Sequence, residues 1–394
     1  MTTPMRTTET IRQPQVSVVI PARNEEASLA DCLQSLIAQT GVNFEVIVVN
    51  DHSTDCTREI ATSFPAVTVL EAGPLPDGWT GKNNAVTTGA RQARGEWLLF
   101  TDADTVHLPG SLAAALKEAQ ENGVDLLSYS PEQIAVTFWE MATLPVVFAE
   151  LARQYSPSKV SDPNSPVAAA NGQYILIRRE AYEAVGGHAA VACNILEDVA
   201  LARAVKSSGR KILFRYAADR VRTRMYRNYR QLRDGWTKNL ALLFPNPGWL
   251  AAKTIFWWGL GWAILFGPLF MLLGAVLTDR VASLGRLNSV FLALAGVVKH
   301  WWWVLTLIPT LGRNLGRLRR ANFDLTMEWL GVLFGMPMFA YLLLRSKRAH
   351  ANGSVSWKGR TYDSKNNPRD APKEGPSASA KLSSSTPTPA GRLS

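Results

Sequence analysis

Uninterrupted apolar runs alternate with amphipathic stretches through the first half of the chain. Val16 to Ile20 is a run of the buried-strand type, broken by Pro21. Between Ser28 and Gln39 the apolar residues Leu29, Cys32, Leu33, Leu36 and Ile37 fall at helical spacing. Phe44 to Val49 is a second buried run and ends in Asn50-Asp51-His52-Ser53-Thr54-Asp55, where Ser53 or Thr54 is placed to cap a helix from Thr57 to Ser63. Val67 to Leu70 reads as a short strand, Asn84 to Arg94 as a helix stopped by Gly95, and Trp97 to Thr101 as another strand. Helices are expected at Leu112–Glu121, Phe138–Arg153, Glu180–Val185 and Leu196–Ser207. Strands are expected at Val124–Tyr129, within Ala168–Ile177, and at Lys211–Tyr216, with a Pro-containing loop over Ser156–Pro166. Strand–helix alternation at this pace predicts an α/β domain over 16–248, built on a mostly parallel, Rossmann-like sheet with helices on both faces.

From about Trp249 the alternation stops. Ile255 to Leu277 is apolar and uncharged, long enough for a bilayer core that needs roughly 20 residues. Leu287 to Leu311 is interrupted by Lys299-His300 and contains Trp301-Trp302-Trp303, a triplet suited to a membrane interface. Leu325 to Leu344 carries only Glu328. Basic clusters at Arg313, Arg317, Arg319 and Arg320, and at Arg345, Lys347 and Arg348, both favour a cytoplasmic side. Three full spans cannot satisfy both, so one segment is expected to be re-entrant or interfacial, with Gly267-Pro268 as a candidate break. Residues 249–345 are thus expected to hold two to three transmembrane α-helices. Residues 346–394, rich in Ser, Pro and Lys from Asp363 onward, are expected to form a mostly disordered cytosolic tail. Residues 1–15 are polar and Thr-rich, without the apolar core of a signal peptide, and are expected to be disordered.

Composition narrows the function classes. The net charge of +10 comes with basic residues crowded after residue 200 beside apolar stretches, which points to a membrane surface. No nucleic-acid module is recognisable. Cys32, Cys56 and Cys193 lack metal-ligand spacing and fit reduced thiols in a cytosolic compartment. The catalytic part is accordingly expected on the cytoplasmic side of the cell membrane.

The chemistry gathers where the fourth apolar run ends, at Asp102-Ala103-Asp104. Residues i and i+2 of an extended backbone share a face, so the two carboxylates can converge on one hard cation such as Mg²⁺ or Mn²⁺. That ion would bridge the oxygens of a diphosphate at the carboxyl edge of an open sheet. Asp51, also at a strand end, can accept from a base N–H or a ribose hydroxyl, or cap the following helix. Arg23 and Glu25 can line the same pocket or form a surface pair. In Gly78-Trp79-Thr80-Gly81-Lys82-Asn83, Lys82 stands between small residues that permit a phosphate to approach. Glu197 and Asp198 stand at a helix start, where capping is one use for an acidic residue.

Four features in order resemble family 2 inverting glycosyltransferases of GT-A fold with a C-terminal membrane anchor. They are Val18-Val19-Ile20-Pro21-Ala22-Arg23-Asn24-Glu25, Val48-Val49-Asn50-Asp51-His52-Ser53-Thr54-Asp55, Thr101-Asp102-Ala103-Asp104 and Leu196-Glu197-Asp198. The resemblance covers Val16 to Trp236 and extends into the membrane region. It implies that Pro21, Arg23, Glu25, Asp51, Lys82 and Asp102 bind a nucleotide sugar and that Asp102 and Asp104 hold the metal. Asp198 is implied as general base, with Glu197 orienting it. Asn171, Gly172 and Gln173 occupy the position of loop residues that contact acceptor and donor. Membrane-bound relatives carry Gln-x-x-Arg-Trp; here the stretch is Gln231-Leu232-Arg233-Asp234-Gly235-Trp236, so Leu232 and Gly235 replace the Gln and Arg. Arg233 and Trp236 remain acceptor-side candidates.

The expected activity is transfer from a nucleotide sugar, with a UDP-sugar favoured, to a lipid or isoprenoid hydroxyl or carboxyl. The Gly-Trp-x-Gly-Lys stretch resembles bacterial carotenoid- and hopanoid-associated members. Ser356-Trp357-Lys358-Gly359-Arg360-Thr361-Tyr362 resembles the post-membrane segment of ceramide glucosyltransferase-like members. Alternatives are a polyprenyl-phosphate sugar synthase and an inactive membrane scaffold. A scaffold would have no use for Asp51, Asp102, Asp104 and Asp198 together.

Overall fold

The computed structural model describes residues 13–279, 323, 327 and 330–362. In chain order the elements are β1 (Val16–Ala22), α1 (Leu29–Ile37), β2 (Phe44–Asn50), α2 (Thr57–Thr62), β3 (Val67–Glu71), α3 (Gly81–Gln92) and β4 (Trp97–Phe100). There follow β5 (Thr105–His107), α4 (Ser111–Glu121), β6 (Leu126–Ser130), β7 (Glu132–Gln133), α5 (Phe138–Gln154), α6 (Pro157–Ser161), β8 (Ile175–Arg178) and α7 (Arg179–Ala184). The remainder is α8 (Glu197–Ser207), β9 (Ile212–Tyr216), β10 (Val221–Thr223), α9 (Tyr229–Leu243), α10 (Pro247–Asp279), a π-helical turn at Gly331–Gly335, α11 (Met336–Ala351), β11 (Val355–Trp357) and β12 (Arg360–Tyr362).

Among the described residues the principal sheet runs β3-β2-β1-β4-β8-β6-β9. Its pairings are parallel except at β8, which is antiparallel to both β4 and β6. Alternation along β1 explains the two-sided core. Val16, Val18 and Ile20 pack under α1 and α4, against Leu29, Leu33, Leu36, Leu112 and Ala115. Val19, on the opposite pleat, packs with Ala85 and Val86 of α3 and Leu201 and Val205 of α8. At roughly 1.5–3 kcal/mol for each fully buried large aliphatic side chain, these two layers dominate the favourable side of folding. A small second sheet, β5-β10-β7, closes the end beyond the acidic pair.

A third apolar cluster joins the two ends of the chain's regular structure. Phe148 of α5, Trp236 and Leu240 of α9, and Phe339 and Leu343 of α11 share it. Polar contacts fix the register: Ser346 Oγ donates to the Thr237 carbonyl at 2.6 Å and accepts from the Ala241 N–H at 2.8 Å. α5 starts with a capping box between Thr137 and Glu140, as its amphipathic pattern requires.

After residue 248 the structure describes only part of the chain. Among the described residues no helix is long and apolar enough to cross a membrane. α10 spans 33 residues as a single helix and runs through Gly267-Pro268, so no re-entrant break occurs there. Its side chains are described no further than Phe266. Leu287–Leu311 and the Arg313–Arg320 cluster lie outside the described residues, as does much of 325–329. Within 346–394, expected mostly to lack structure, the helix continues to Ala351 and a hairpin follows to Tyr362, because α11 is held by the shared apolar cluster. At α2 the expected caps are not used. Asp55 Oδ1 accepts from the Thr57 N–H at 3.1 Å, while Ser53 Oγ turns to the Asn24 N–H.

Candidate active site

The carboxyl ends of β1, β2 and β4 open on one cavity of about 870 Å³. The end of β1 brings Pro21 to it and the loop that follows brings Arg23 and Glu25, Asp51 comes directly after β2, and α3 brings Lys82 on its first turn. Thr80 caps that helix by accepting from the Asn83 N–H, which fixes where Lys82 emerges. Asp102 and Asp104 follow β4, the turn before β8 supplies Asn171, Gly172 and Gln173, and the start of α8 supplies Glu197 and Asp198. Trp236 of α9 also lines the cavity, although it is 2% exposed and packs edge-on against Phe148 and Tyr226.

Arg233 stands apart. Its Nε donates to Asp234 Oδ1 at 2.9 Å and it is absent from the lining, because it lies off the α9 face that Gln231, Gly235 and Lys238 turn to the cavity. The departure from Gln-x-x-Arg-Trp has a packing counterpart. Leu232 is a buried core residue, and the Tyr226 ring fills the space beside Gly235. Gln173 is engaged structurally: its carbonyl accepts from Thr101 Oγ1 at 2.7 Å and its Nε2 donates to Thr223 Oγ1 at 3.2 Å.

Lys82 is the hub. Its Nζ lies 2.7 Å from Asp102 Oδ1 and 2.7 Å from Glu197 Oε1, tying the acidic pair to the α8 carboxylates. Burial works against its charge, but Asp102 and Glu197 outweigh burial and hold the ammonium well above its ordinary pKa. Burial likewise pushes Glu197 upward, yet Lys82 prevails and keeps that carboxyl below its usual range. Asp198 behaves oppositely. Burial, then the Glu197 charge, raise it to about 6, against the pull of Lys82 and the N–H groups of Val199 and Gly172. Those N–H groups donate at 2.7 Å to Oδ1 and 3.0 Å to Oδ2, leaving the carboxylate fixed in direction. A Cβ at Gly172 would stand 3.0 Å from Lys82 Nζ and 3.5 Å from Asp198 Oδ2, so an added methyl would push the Lys82 ammonium by a few tenths of an ångström.

The acidic pair fits a divalent cation. Asp104 Oδ1 is buried without a hydrogen-bond partner. Burial, then Asp102 and Glu25, raise Asp104 to about 8, with Lys358 and Lys82 pulling the other way. A cation would relieve both the orphaned oxygen and the like-charge repulsion. Among the described residues no group of three or more His, Cys, Asp or Glu could hold a metal by itself. The donor set suits an ion that takes one or two carboxylates from the protein and completes its shell with water and phosphate oxygens, as Mg²⁺ does.

Sequence reasoning missed three pocket residues. Lys238 of α9 lines the cavity, and burial lowers its pKa despite the nearby Glu197. Lys358 and Arg360 enter from the hairpin β11–β12, where Arg360 Nη2 donates to Asp51 Oδ1 at 2.9 Å and its Nη1 to Oδ2. The signal available was the pair of basic residues flanking Gly359 after the last apolar stretch.

Residues 17–186 match the model of Glycosyl transferase family 2. The 4,4'-diaponeurosporenoate glycosyltransferase of Staphylococcus aureus strain MRSA252 is 30% identical over 355 residues, covering 88% of this chain and 88% of the relative. The enzyme of the same name from strain USA300 is 30% identical over 352 residues, with the same coverage of each. Among solved structures, the mannosyltransferase PcManGT from Pyrobaculum calidifontis, in complex with GDP-Man and Mn²⁺, is similar at a TM-score of 0.48. It is 18% identical, and the match covers 86% of this chain and 87% of that one. With its mostly parallel GT-A-like sheet, this chain is an enzyme that belongs to glycosyltransferase family 2.

Proposed function

We propose that the protein transfers a sugar, with inversion, from a nucleotide-sugar donor to a lipid or isoprenoid acceptor at a membrane surface. One observation carries this reading: a single cavity holds the Asp102/Asp104 pair and the Glu197/Asp198 pair, with Lys82 bridging them at 2.7 Å on each side. A divalent ion on Asp102 and Asp104 would supply Lewis-acid stabilisation of the departing nucleoside diphosphate. Lys82 adds a second positive charge at the same place. Asp198 takes the proton of an acceptor hydroxyl as its oxygen bonds to the anomeric carbon. The bond from that carbon to the diphosphate oxygen breaks, and its electron pair leaves with the diphosphate. Glu197, held ionised by Lys82, keeps Asp198 basic enough for the transfer.

The relatives' name, diaponeurosporenoate glycosyltransferase, supports an isoprenoid acceptor ending in a carboxylate. Exposed apolar side chains support a membrane surface: Trp249, Phe256 and Trp257 of α10, Phe138 of α5, and Phe334 in the π-helical turn. In this reading the apolar region from residue 249 anchors the protein in the cell membrane, with the cavity on the cytoplasmic side. The test is calorimetry of detergent-solubilised protein with UDP- and GDP-sugars, with and without Mn²⁺, beside Asp102→Ala/Asp104→Ala. Metal-dependent binding of one donor that the double variant abolishes is expected, followed by transfer to an apocarotenoid acid or alcohol. Folded protein that binds neither donor would return the weight to the scaffold reading, and transfer only to a polyprenyl phosphate would favour the synthase.

A further inference from the structure

The C-terminal hairpin makes contacts that a surface appendage would not need. β11 and β12 pair with Trp357 opposite Arg360, joined by Lys358 and Gly359 at φ 46° and 76°. Positive φ at both positions is the type I′ turn that matches strand twist, and a lysine at its first position is out of the ordinary. Its neighbours hold it there. Arg23 Nε donates to the Lys358 carbonyl at 3.1 Å, and Lys358 Nζ donates to the Arg23 carbonyl at 2.9 Å and to Glu25 Oε1 at 2.5 Å. The turn is therefore plugged into the loop that follows β1.

Arg360 fastens the other strand. Its guanidinium forks onto both oxygens of Asp51, whose side chain is only 5% exposed. Room for this pair is built into α3. A Cβ at Gly81 would fall 1.6 Å from Arg360 Nη1 and 2.6 Å from Asp51 Oδ2. The hairpin thus meets the ends of β1 and β2 and the start of α3, the three segments that frame the nucleotide side of the cavity. Trp357, Lys358, Gly359 and Arg360 all line that cavity.

We propose that the hairpin is part of the donor site, with Arg360 anchoring it on Asp51 so that the Lys358 ammonium engages the diphosphate of a nucleoside diphosphate. This rests on the nucleotide-sugar reading above. An ammonium on a flexible stem is a compact point charge suited to phosphate, whereas the planar Arg fork suits a fixed carboxylate. The division of labour follows that chemistry. Arg360 is a positioning residue.

The test uses the full chain in detergent, with UDP and GDP plus Mn²⁺ as probes and the matching nucleosides followed by NMR. Lys358→Met is expected to weaken nucleoside diphosphate binding roughly ten- to hundredfold, the range of one charge-assisted hydrogen bond, while nucleoside binding stays unchanged and loss of amide protection is confined to the turn, because Arg360 still holds the hairpin on Asp51. Arg360→Gln is expected to weaken the diphosphate similarly and to remove amide protection across 355–362; Arg360→Lys recovers part of both. Wild-type diphosphate affinity in Lys358→Met overturns the proposal and leaves the transferase reading standing. Failure of folded wild-type protein to bind either diphosphate overturns both.

Discussion

Asp198→Asn separates catalysis from stability at one atom. Asp198 is raised from 3.8 to about 6 by burial and then by Glu197. An acid raised in the folded state binds its proton more tightly there than in the unfolded chain, so stability falls as pH climbs from 3.8 through 6. At 1.36 kcal/mol per pH unit the ionised folded form gives up about 3 kcal/mol above pH 6, an upper figure because the cavity admits screening water. Asparagine carries no charge to desolvate, but it keeps only one of the two acceptors that receive the Gly172 and Val199 N–H groups, a loss of about 1 kcal/mol. The variant should therefore be about 2 kcal/mol more stable at pH 7.5, with the gain gone at about pH 4.5 and turned into a deficit of about 1 kcal/mol well below pH 3.8. Transfer to a hydroxyl acceptor should fall by roughly 10²–10⁴, the usual contribution of a general base. A carboxylate acceptor is already ionised at neutral pH and should lose far less. Thermal unfolding across pH and initial rates with paired alcohol and acid acceptors measure both. A destabilised variant at pH 7.5, or one that keeps hydroxyl transfer within tenfold of wild type, refutes the reasoning.

Removing the hub charge in Lys82→Met should move the acid limb of the pH–rate profile, near 6 in the wild type, upward by about one unit, since Lys82 lowers Asp198; an unmoved limb in kcat/KM against pH counts against the coupling. In Gly172→Ala the N–H survives but the added methyl presses on Lys82, so transfer should drop at least about tenfold with thermal stability within about 1 kcal/mol of wild type. Asp104→Asn should leave donor binding unresponsive to Mn²⁺ in calorimetry, and an intact metal response would place the ion elsewhere. His107 and His188 are lowered by burial to about 3 and 4, so the unfolded chain takes up their protons first. Their contribution to stability should shrink as pH falls below 6.5, against the opposite trends of Asp198 and Asp104, so stability relative to wild type should rise in His188→Asn as pH falls from 6.5 toward 4.

The parts of the site that were legible in the sequence carry local signals. β1, β2 and β4 are short apolar runs that end in charge, and a parallel sheet gathers such ends on one edge. Asp51 and Asp102 could therefore be placed near one another from the strand pattern, while Lys82 and Asp198 joined them through the resemblance to family 2 glycosyltransferases. The direction of β8 was not legible, because Ile175, Leu176 and Ile177 bury equally well in either orientation. Arg233 was misplaced because a motif alignment counts residues, whereas the helix sends its side chain to Asp234. The hairpin was missed for a different reason: the partners of Lys358 and Arg360 are 333 and 309 residues away, and no local pattern encodes a contact of that range.

That separation has a consequence for how the protein is made. A ribosome adding about 5–20 residues per second needs on the order of 15–60 s to travel from Asp51 to Arg360. During that interval the nascent N-terminal sheet can form, but Asp51 and Glu25 have no hairpin to meet. The side of the cavity that Asp51 and Glu25 line is finished only after α10, α11 and everything between them have been synthesised. Closing so long a loop is an entropic cost met late, by contacts that α11 has already brought near. Chains that stop short of residue 360 would carry every acidic residue of the site and still lack one of its walls.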